Sequence, residues 1–410
     1  MLHEVEVGSQ SLASYASLVD QALIDEILEL AKGLKGCRLL HLSATSYGGG
    51  VAELLRSEVP LQRDLGLHAD WKVIHADEKF FSVTKAFHNA LQGAEYTLTE
   101  EAKETYLTYN TRNAQQLEEA YDCIIVHDPQ PAAIPALRGK DGSKWVWRCH
   151  IDTSYPNPQV WAFLKPFIAF YDGVIFTMGQ FVPSDIGVRE VALIAPAIDP
   201  LAPKNMDIPL EMCRRIINSI GVDVDRPLIT QVSRFDPWKD PCGVVDAYRI
   251  AKKEFPDLQL AMVGSMALDD PESWRIYSMI REYVQDDKDA HVFTNFIGVG
   301  NVEVNAFQRL SQVGVQKSIR EGFGLVVSET LWKGTPMVAG RAGGIPIQLE
   351  DGVSGYLIDN VEQCADRIID LLKDRDLARK MGERGREKVR REFLMPRLVR
   401  DKLAFLRSLH

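Results

Sequence analysis

The chain has 410 residues, of which 46% are hydrophobic and 25% are charged. This length and composition indicate a globular protein with two domains. Its 57 acidic and 47 basic residues give a net charge of −10, which argues against a nucleic-acid partner, because nucleic-acid binding depends on clustered lysine and arginine.

The start of the chain and its cysteines predict a cytoplasmic protein without a membrane partner. The first residues have neither the basic start nor the long apolar stretch of a signal peptide. No segment reaches the ~20 apolar residues that a membrane span needs. The six cysteines are scattered without a Cys-x-x-Cys pair, so we expect them to be reduced and mostly structural, with no zinc site.

A glycine-rich turn near the start links a predicted strand to a predicted helix. The strand spans residues 38–42, the helix spans residues 51–65, and Gly48, Gly49 and Gly50 lie between them. This arrangement is the opening unit of a doubly wound α/β domain, although the spacing does not match a dinucleotide motif. The turn is either a flexible connection or a place where the backbone approaches a phosphate or a sugar.

Later strands of this first domain end in polar residues. The predicted strands at 123–126 and 145–150 are followed at once by polar side chains such as Asp128, and open parallel sheets bind ligands at this edge. His150 is a potential metal ligand, but no second histidine stands at ligand spacing, so we predict no metal. Residues 77–93 mix aromatic and polar side chains, which is typical of either a sugar site or an amphipathic surface segment.

The pattern restarts after residues 195–203, a proline-rich stretch that we interpret as an interdomain linker. Strands and helices alternate again beyond it, which implies a second parallel sheet. We therefore expect one domain at residues 1–205 and another at residues 206–388. A last helical run is interrupted near Pro396, which indicates a kink or two helices.

The most informative stretch lies between a predicted strand at 313–315 and a predicted helix at 325–333. A helix start offers free backbone N–H groups and a partial positive charge, both of which suit a phosphate group. Gly322 and Gly324 lack the side chains that would block a close approach. This helix start is therefore a predicted phosphate-binding site.

Two carboxylates flank this helix start. Glu321 lies just before the helix and Glu329 lies in its second turn, and a carboxylate accepts hydrogen bonds from sugar hydroxyls. With amides between them, the two would hold a sugar, a diphosphate and a ribose in a row, which is the shape of a nucleotide sugar. The alternative is an ordinary strand–helix connection with two solvated glutamates.

Such a site also requires cations, because carboxylates repel phosphate. Arg234 and Lys239 follow the first predicted strand of the second domain, and arginine and lysine both bind phosphate oxygens well. Ordinary surface charge is the alternative for these two residues. The acidic groups at 223–225 and 286–289 lie before a strand and in a polar surface run, so we predict no metal-assisted phosphate binding.

As a set, these motifs resemble the retaining GT-B glycosyltransferases of family 4. The motifs that carry the resemblance are spread over nearly the whole chain: glycines 48–50, His150, Arg234, Lys239, Glu321, Glu329 and residues 343–346. The resemblance implies an α/β protein with two Rossmann-like doubly wound domains and a ligand cleft between them. It also implies a C-terminal helix, residues 389–410, that crosses back to the first domain.

Several stretches are most similar to the members of this family that make a disaccharide from free glucose: residues 80–93, 127–130, 147–152 and 233–240. The resemblance implies reversible transfer of glucose from UDP-, ADP- or GDP-glucose to free glucose, giving α,α-trehalose with retention at the donor carbon. It implies that no cofactor is required, that the donor binds without a metal, and that Mg²⁺ is at most a stimulant. A homodimer is also expected.

The resemblance assigns roles residue by residue. The implied catalytic residues are His150, Arg234, Lys239 and Glu321. The implied donor-binding residues are Gly48, Gly49, Arg234, Lys239, Ile297, Glu321, Gly322, Phe323, Gly324, Leu325 and Glu329. The implied acceptor-binding residues are Lys85, Asp128, Gln130 and Asp152.

Within that scheme, Arg234 and Lys239 neutralise the leaving diphosphate, and Glu329 binds the ribose. The backbone around Ile297 meets the base, and His150 contacts the donor sugar. The working hypothesis is front-face attack, in which the leaving phosphate takes the proton of the acceptor, because no carboxylate nucleophile is evident.

Three alternatives stay open. A retaining trehalose phosphorylase would use the same cations and amides on inorganic phosphate. A transferase with another acceptor, such as a sugar phosphate, would use further cations such as Lys79, Lys85 and Arg148. A non-catalytic sugar sensor on the same fold would bind its ligand tightly without turnover.

Overall fold

The computed structural model describes residues 2–47, 49–139, 142–266 and 271–409. The chain divides into two compact units: the first unit is Met1–Pro196 together with Met395–His410, and the second unit is Ala197–Leu394. Within the described residues each unit has its own sheet, flanked by helices, so the predicted pair of Rossmann-like α/β domains is confirmed.

The first unit contains a seven-stranded sheet among the residues that the structure describes. Its strands are β1 (His3–Glu4), β2 (Arg38–Ser43), β3 (His68–Val73), β4 (Cys123–His127), β5 (Lys144–Arg148), β6 (Gly173–Phe176) and β7 (Glu190–Leu193). The strand order is β1-β3-β2-β4-β5-β6-β7, and all pairs are parallel except β1–β3. The helices before residue 197 are α1 (Gln21–Lys32), α2 (Gly50–Asp64), α3 (Glu78–Leu91), α4 (Glu100–Gln115), α5 (Ile134–Arg138) and α6 (Pro158–Ile168).

The central strands are almost entirely buried, because helices cover both faces of a parallel sheet. Alternate residues point to opposite faces. Leu40, Leu42 and Trp147 belong to the apolar core that includes side chains of α3, α4 and α6. Residues of the opposite parity, such as His41 and Arg148, therefore point to the other face.

Residues 77–93 form an amphipathic helix, α3, rather than an aromatic sugar platform. Phe80 and Phe87 are fully buried, and their rings lie 6.2 Å and 5.4 Å from the ring of Tyr106. These aromatic residues are therefore part of the core of the first unit and are unavailable to a ligand.

The second unit contains a six-stranded parallel sheet within the described part of the chain. Its strands are β8 (Leu228–Val232), β9 (Gln259–Gly264), β10 (Ala290–Thr294), β11 (Val313–Gln316), β12 (Met337–Gly340) and β13 (Gly355–Ile358), in the order β10-β9-β8-β11-β12-β13. Its helices are α7 (Leu210–Ser219), α8 (Pro241–Lys252), α9 (Pro271–Val284), α10 (Asn301–Leu310), α11 (Leu325–Trp332), α12 (Ile345–Gln348), α13 (Val361–Lys373) and α14 (Arg375–Glu392). A single 3-10 turn, Asn295–Ile297, follows β10.

The last helix, α15 (Met395–Ser408), belongs to the first unit, as the sequence resemblance implied. Lys402 pairs with Glu58 of α2 at 2.7 Å, and Arg400 donates to Glu26 of α1 at 2.9 Å. The break between α14 and α15 lies at residues 393–394, next to the predicted interruption.

The unit boundary lies at residues 196–197, earlier than the predicted 205–206. Residues just before the predicted boundary are bonded to helices of the second unit: Asn305 donates to the Pro203 carbonyl at 3.0 Å, and Trp332 Nε1 donates to the Asn205 carbonyl at 3.2 Å. The last boundary also differs, because α14 continues past residue 389 and the change of unit comes at Met395. Among the residues that the structure describes, none of the helices has both the length and the apolar character that a membrane crossing requires.

Candidate active site

The predicted phosphate site of the second unit is built from the loops after β8 and β11. These strands are parallel neighbours, so both loops leave the same edge of the sheet. The backbone N–H of Ile319 donates to the Trp238 carbonyl at 2.9 Å, and Gln231 Nε2 donates to the Lys239 carbonyl at 2.9 Å. Both bonds hold the loop of Lys239 in place, and the first ties it to the loop of Glu321.

Lys239 and Glu321, predicted from separate motifs, form an ion pair. Their side chains are only 14% and 11% exposed, and Ser318 Oγ lies 3.2 Å from Glu321 Oε2. Nearby, Lys317 pairs with Asp240. The structure therefore places the predicted phosphate cation directly beside the predicted sugar-binding carboxylate.

The start of α11 is shaped by glycines. Gly324 is its N-cap, with a left-handed φ of 81°, and no side chain caps the helix. Gly343, in the next loop, has a φ of 49°, and a Cβ added there would lie 1.6 Å from the Glu321 carbonyl oxygen. The N–H of Gly344 donates to the Gly322 carbonyl at 3.0 Å. Only glycine allows the two loops to pack this closely.

Gln348, which the sequence did not single out, fastens this helix start. Its Nε2 donates to the carbonyls of Phe323 and Gly344, and its Oε1 accepts from the backbone N–H and the hydroxyl of Ser328. The ring of Phe323 is buried and lies 5.6 Å from the ring of Phe393, so only the backbone of Phe323 can contact a ligand.

Glu329 is buried in α11, with only 2% of its side chain exposed, and is therefore not a solvated glutamate. Lys204 Nζ lies 3.3 Å from its Oε1, but its Oε2 has no hydrogen-bond partner among the described residues. Lys333, one turn later, donates to Asn205 at 2.7 Å, and burial lowers the pKa of Lys333 to about 7. Nothing in the sequence indicated that Lys204 and Lys333 lie near Glu329.

Two predicted donor residues of the second unit are exposed. The side chain of Arg234 is 60% exposed, and its Nη2 lies 3.4 Å from Asp236 Oδ2. Ile297 ends its 3-10 turn and is also 60% exposed, with Gly298 following in the left-handed region. Leu325 is the first residue of α11.

Asp128 and His150 meet in the first unit. Asp128 has a φ of 65°, and its Oδ1 accepts from the backbone N–H of His150 at 2.8 Å. Its own carbonyl accepts from Trp147 Nε1 at 3.0 Å. Burial raises the pKa of Asp128 to about 6. A carboxyl group held in this way stands beside His150 at the carboxyl edge of the sheet.

The other predicted acceptor residues have different surroundings. Asp152 Oδ1 accepts from the N–H and hydroxyl of Ser154 at 2.9 Å and 2.6 Å. Gln130 Oε1 is buried without a hydrogen-bond partner among the described residues, and Lys85 is exposed on α3. A Cβ added to Gly49, the N-cap of α2, would meet no atom within 4 Å, whereas Gly48 lies outside the described residues.

Three histidines of the first unit form a hydrogen-bonded line. His41 Nδ1 lies 3.0 Å from His127 Nε2, and His127 Nδ1 lies 3.0 Å from His150 Nε2. Neighbouring rings stack with centroids 5.3 Å apart. At the far end, His41 Nε2 lies 2.9 Å from Gln62 Oε1. The sequence did not predict this line, because parallel strands bring together residues that are far apart in the sequence. The one indication was a histidine within each of the apolar strands β2 and β4.

Acid is expected to destabilise the protein through these buried histidines. Burial lowers the pKa of His41 to about 4, and those of His127 and His150 fall well below the ordinary range. The unfolded chain therefore binds protons below pH 6.5 that the folded chain excludes, so stability falls as the pH drops from about 6.5 to 4. For His41 alone we expect a loss of about 2 kcal/mol between pH 7 and pH 5.

Thermal unfolding at pH 7 and pH 5 measures this effect, and His41 alone should contribute about 4–8 °C to the fall in midpoint. His41→Gln removes one titrating group and should reduce the fall, whereas His68→Gln, at an exposed position, should not. An equal fall in all three proteins would contradict the assignment to His41.

In the part of the chain that the structure describes, no cluster of three or more histidine, cysteine, aspartate or glutamate side chains has the arrangement of a metal site. The three histidines of the first unit bond to one another in a line instead of converging on one point.

Comparisons with known proteins cover both units. Residues 41–183 match the family described as "Trehalose synthase, N-terminal domain", and residues 214–388 match "Glycosyl transferases group 1". A trehalose synthase of Rubrobacter xylanophilus is 51% identical, over 100% of this chain and 99% of that protein. A trehalose phosphorylase of Pleurotus pulmonarius is 30% identical, over 92% of this chain and 58% of the phosphorylase.

Solved structures of other glycosyltransferases have a similar fold. A UDP-forming α,α-trehalose-phosphate synthase from Burkholderia xenovorans superposes with a TM-score of 0.72 at 17% identity, over 91% of this chain and 99% of that one. A likeness at this identity shows the fold, which is GT-B. With sequence matches that extend over the full length at 51% identity, the chain belongs to the trehalose synthase family of GT-B glycosyltransferases.

Proposed function

We propose that this protein moves glucose from a nucleoside diphosphate glucose to free glucose and forms α,α-trehalose with retention at the donor carbon. The observation that carries the proposal is the carboxylate of Glu329, which is buried in α11 with Oε2 unpartnered among the described residues. A buried acceptor without a partner is costly, and the two hydroxyls of a ribose are the donors that satisfy it.

Inorganic phosphate offers no comparable partner at this position. It would bind at the helix start, where the cations and amides lie, and would leave Glu329 Oε2 without a donor. Glu329 lies about 6 Å along the helix axis from Leu325, at about 1.5 Å per residue, which leaves room for a diphosphate at the helix start. Because this site suits a nucleotide, the proposal favours a nucleotide sugar over the phosphate that a phosphorylase uses.

The residues at the helix start supply the chemistry of the donor. In the proposed reaction the bond between C1 of the glucose and the diphosphate oxygen breaks, and negative charge grows on the diphosphate. Lys239, Arg234 and the first amides of α11 stabilise that charge, and no metal is required for donor binding. Glu321, which pairs with Lys239, accepts hydrogen bonds from the hydroxyls of the glucose.

The first unit supplies the acceptor site in this proposal. The carboxyl group of Asp128 and the polar groups of Gln130, Asp152 and Lys85 bind free glucose. The acceptor hydroxyl attacks C1 on the face from which the diphosphate leaves, and its proton passes to the leaving diphosphate. The 51% identity to a trehalose synthase supports this product over a sugar phosphate product.

Product analysis tests the proposal. The protein is incubated with UDP-glucose or ADP-glucose and free glucose in EDTA, and the anomeric protons are followed by NMR. We expect the single anomeric signal of the symmetric α,α-linked disaccharide, which reports donor, acceptor, stereochemistry and metal independence together. A parallel mixture contains glucose 6-phosphate in place of glucose, and product in that mixture alone would mean that the acceptor is a sugar phosphate. Tight donor binding without any product would indicate a sensor.

A further inference from the structure

The three histidines of the first unit are one part of a longer buried chain of polar groups. At its origin, Lys402 Nζ of α15 pairs with Glu58 Oε2 at 2.7 Å, and Gln62 Nε2 donates to Glu58 Oε1 at 3.0 Å. Gln62 Oε1 then faces His41, and the histidines lead to His150. The first members of the chain are almost completely buried, so water does not compete for their hydrogen bonds.

We infer that this chain, which starts at Lys402, fixes His150 as a hydrogen-bond acceptor for a hydroxyl of the sugar substrate. The role is one of positioning: Lys402, Glu58 and Gln62 act through the histidines and do not touch the substrate. The sugar contact rests on the proposed function, whereas the direction of hydrogen-bond donation from Lys402 to His150 does not.

The direction follows from the ion pair at the origin. A carboxylate paired with a lysine only accepts hydrogen bonds, so the amide nitrogen of Gln62 must face Glu58. The amide oxygen of Gln62 therefore faces His41 and can only accept. Consequently His41 carries its proton on Nε2, and its Nδ1 is bare, that is, without a proton and able only to accept a hydrogen bond.

The same step repeats along the line of rings. Bare Nδ1 of His41 requires a proton on His127 Nε2, and a neutral His127 then has a bare Nδ1. That atom in turn requires a proton on His150 Nε2. His150 is left with a bare Nδ1, an atom that none of the hydrogen bonds of the described residues uses, and a bare ring nitrogen accepts from a sugar hydroxyl.

The surroundings keep the rings neutral, which the argument requires. Burial, with the positive charges of Arg148 and Lys402, holds the pKa of His150 and of His127 well below the ordinary value. Burial opposes the ionisation of Glu58, but the charge and the hydrogen bond of Lys402 lower the pKa of that carboxyl. The charged groups around these side chains include Glu58, Lys402, Arg148 and Arg397, and the titratable carboxyl group of Asp128 lies beside His150.

NMR of protein labelled with ¹⁵N at histidine tests the direction, because bare and protonated ring nitrogens have well-separated shifts. In the unmodified protein we expect His150 to have a bare Nδ1 and a protonated Nε2. A protonated Nδ1 at His150 would overturn the inference. Since the spectrum needs no substrate, a protein without transferase activity that still shows a bare Nδ1 would refute the proposed function and leave the direction of the chain standing.

Gln62→Met tests the control that the chain exerts. It conserves volume but removes the acceptor for His41, so the Nδ1-protonated form of His150 should appear, and KM for the nucleotide sugar should rise about tenfold with a smaller change in kcat. Gln259→Met is the matched control: Gln259 is a buried amide of the second unit, bonded to the backbone of Asp223 at 2.7 Å and 3.1 Å. It should lower stability without changing the His150 spectrum or KM.

Two results with Gln62→Met would contradict the inference. An unchanged His150 spectrum would show that the chain does not set the ring, and a changed spectrum with unchanged KM would show that Nδ1 does not bind the sugar. If Gln62→Met does not fold, Lys402→Met serves instead. Without its lysine, buried Glu58 takes up a proton and no longer fixes the orientation of the Gln62 amide, so the Nδ1-protonated form of His150 should appear beside the bare form.

Discussion

Replacing Lys239 with methionine is expected to lower kcat by about 10²–10³-fold, with a much smaller effect on KM. The loss of one preorganised charge at the position where negative charge develops has this magnitude in enzymes. Lys239 is positioned for that role by the ion pair with Glu321 and by the bond from Gln231 to its carbonyl. Steady-state kinetics with the nucleotide sugar and glucose measures the change.

Lys252 provides the matched control for this substitution. It also forms ion pairs in the second unit, partly buried and to Asp287 and Asp289 at 2.8 Å each, but lies in α8, outside the predicted site. Lys252→Met should lower the thermal midpoint and leave kcat unchanged. Equal losses of kcat in both variants would mean that Lys239 acts through stability alone.

The ion pair of Lys239 and Glu321 needs a second test. Removing Lys239 leaves the largely buried charge of Glu321 without its partner, and this alone could lower the activity. If the lysine served only to hold the carboxylate, Lys239→Met and Glu321→Gln together would be no worse than Glu321→Gln alone. We expect the double variant to be slower than either single variant, since the cation and the carboxylate contact different parts of the donor. A double variant as fast as Glu321→Gln would contradict this assignment.

Replacing Glu329 with glutamine is expected to lower kcat/KM for the nucleotide sugar by about 10²-fold, mainly through KM. The change removes a charged acceptor from the proposed ribose site, and hydrogen bonds to charged groups contribute about 1.5–3 kcal/mol each. The side chain keeps its size, so the substitution leaves no cavity. The salt bridge to Lys204 is also lost, which is why a binding comparison is needed beside the kinetics.

That comparison uses the two halves of the donor as separate probes. Calorimetric titration should show that Glu329→Gln binds a nucleoside diphosphate about 10²-fold more weakly, while its affinity for inorganic diphosphate stays the same. Equal weakening of both ligands would indicate a disturbed helix start, and no weakening of either would exclude Glu329 from the ribose site.

Much of the fold was predictable from the sequence because buried parallel strands are short apolar runs. The helix of residues 325–333 and the strand before it were predicted almost to the residue. Helix ends shift slightly: the helix predicted at 51–65 spans Gly50–Asp64.

The pairing of Lys239 with Glu321 could be anticipated, because both follow strands of one predicted sheet. Lys204, Gln348 and the line of histidines could not, because each acts on a residue far away in sequence or on a backbone group. A histidine within an apolar strand shows that a buried polar partner is required, but the strand order decides which partner it meets.

The reverse reaction tests the central claim, a donor site built for a nucleotide, most directly. The protein is incubated in EDTA with trehalose and either a nucleoside diphosphate or inorganic phosphate, and the products are followed by ³¹P NMR. We predict nucleoside diphosphate glucose in the first mixture and no sugar phosphate in the second. Glucose 1-phosphate in the second mixture, with no product in the first, would contradict the proposal and make the protein a phosphorylase.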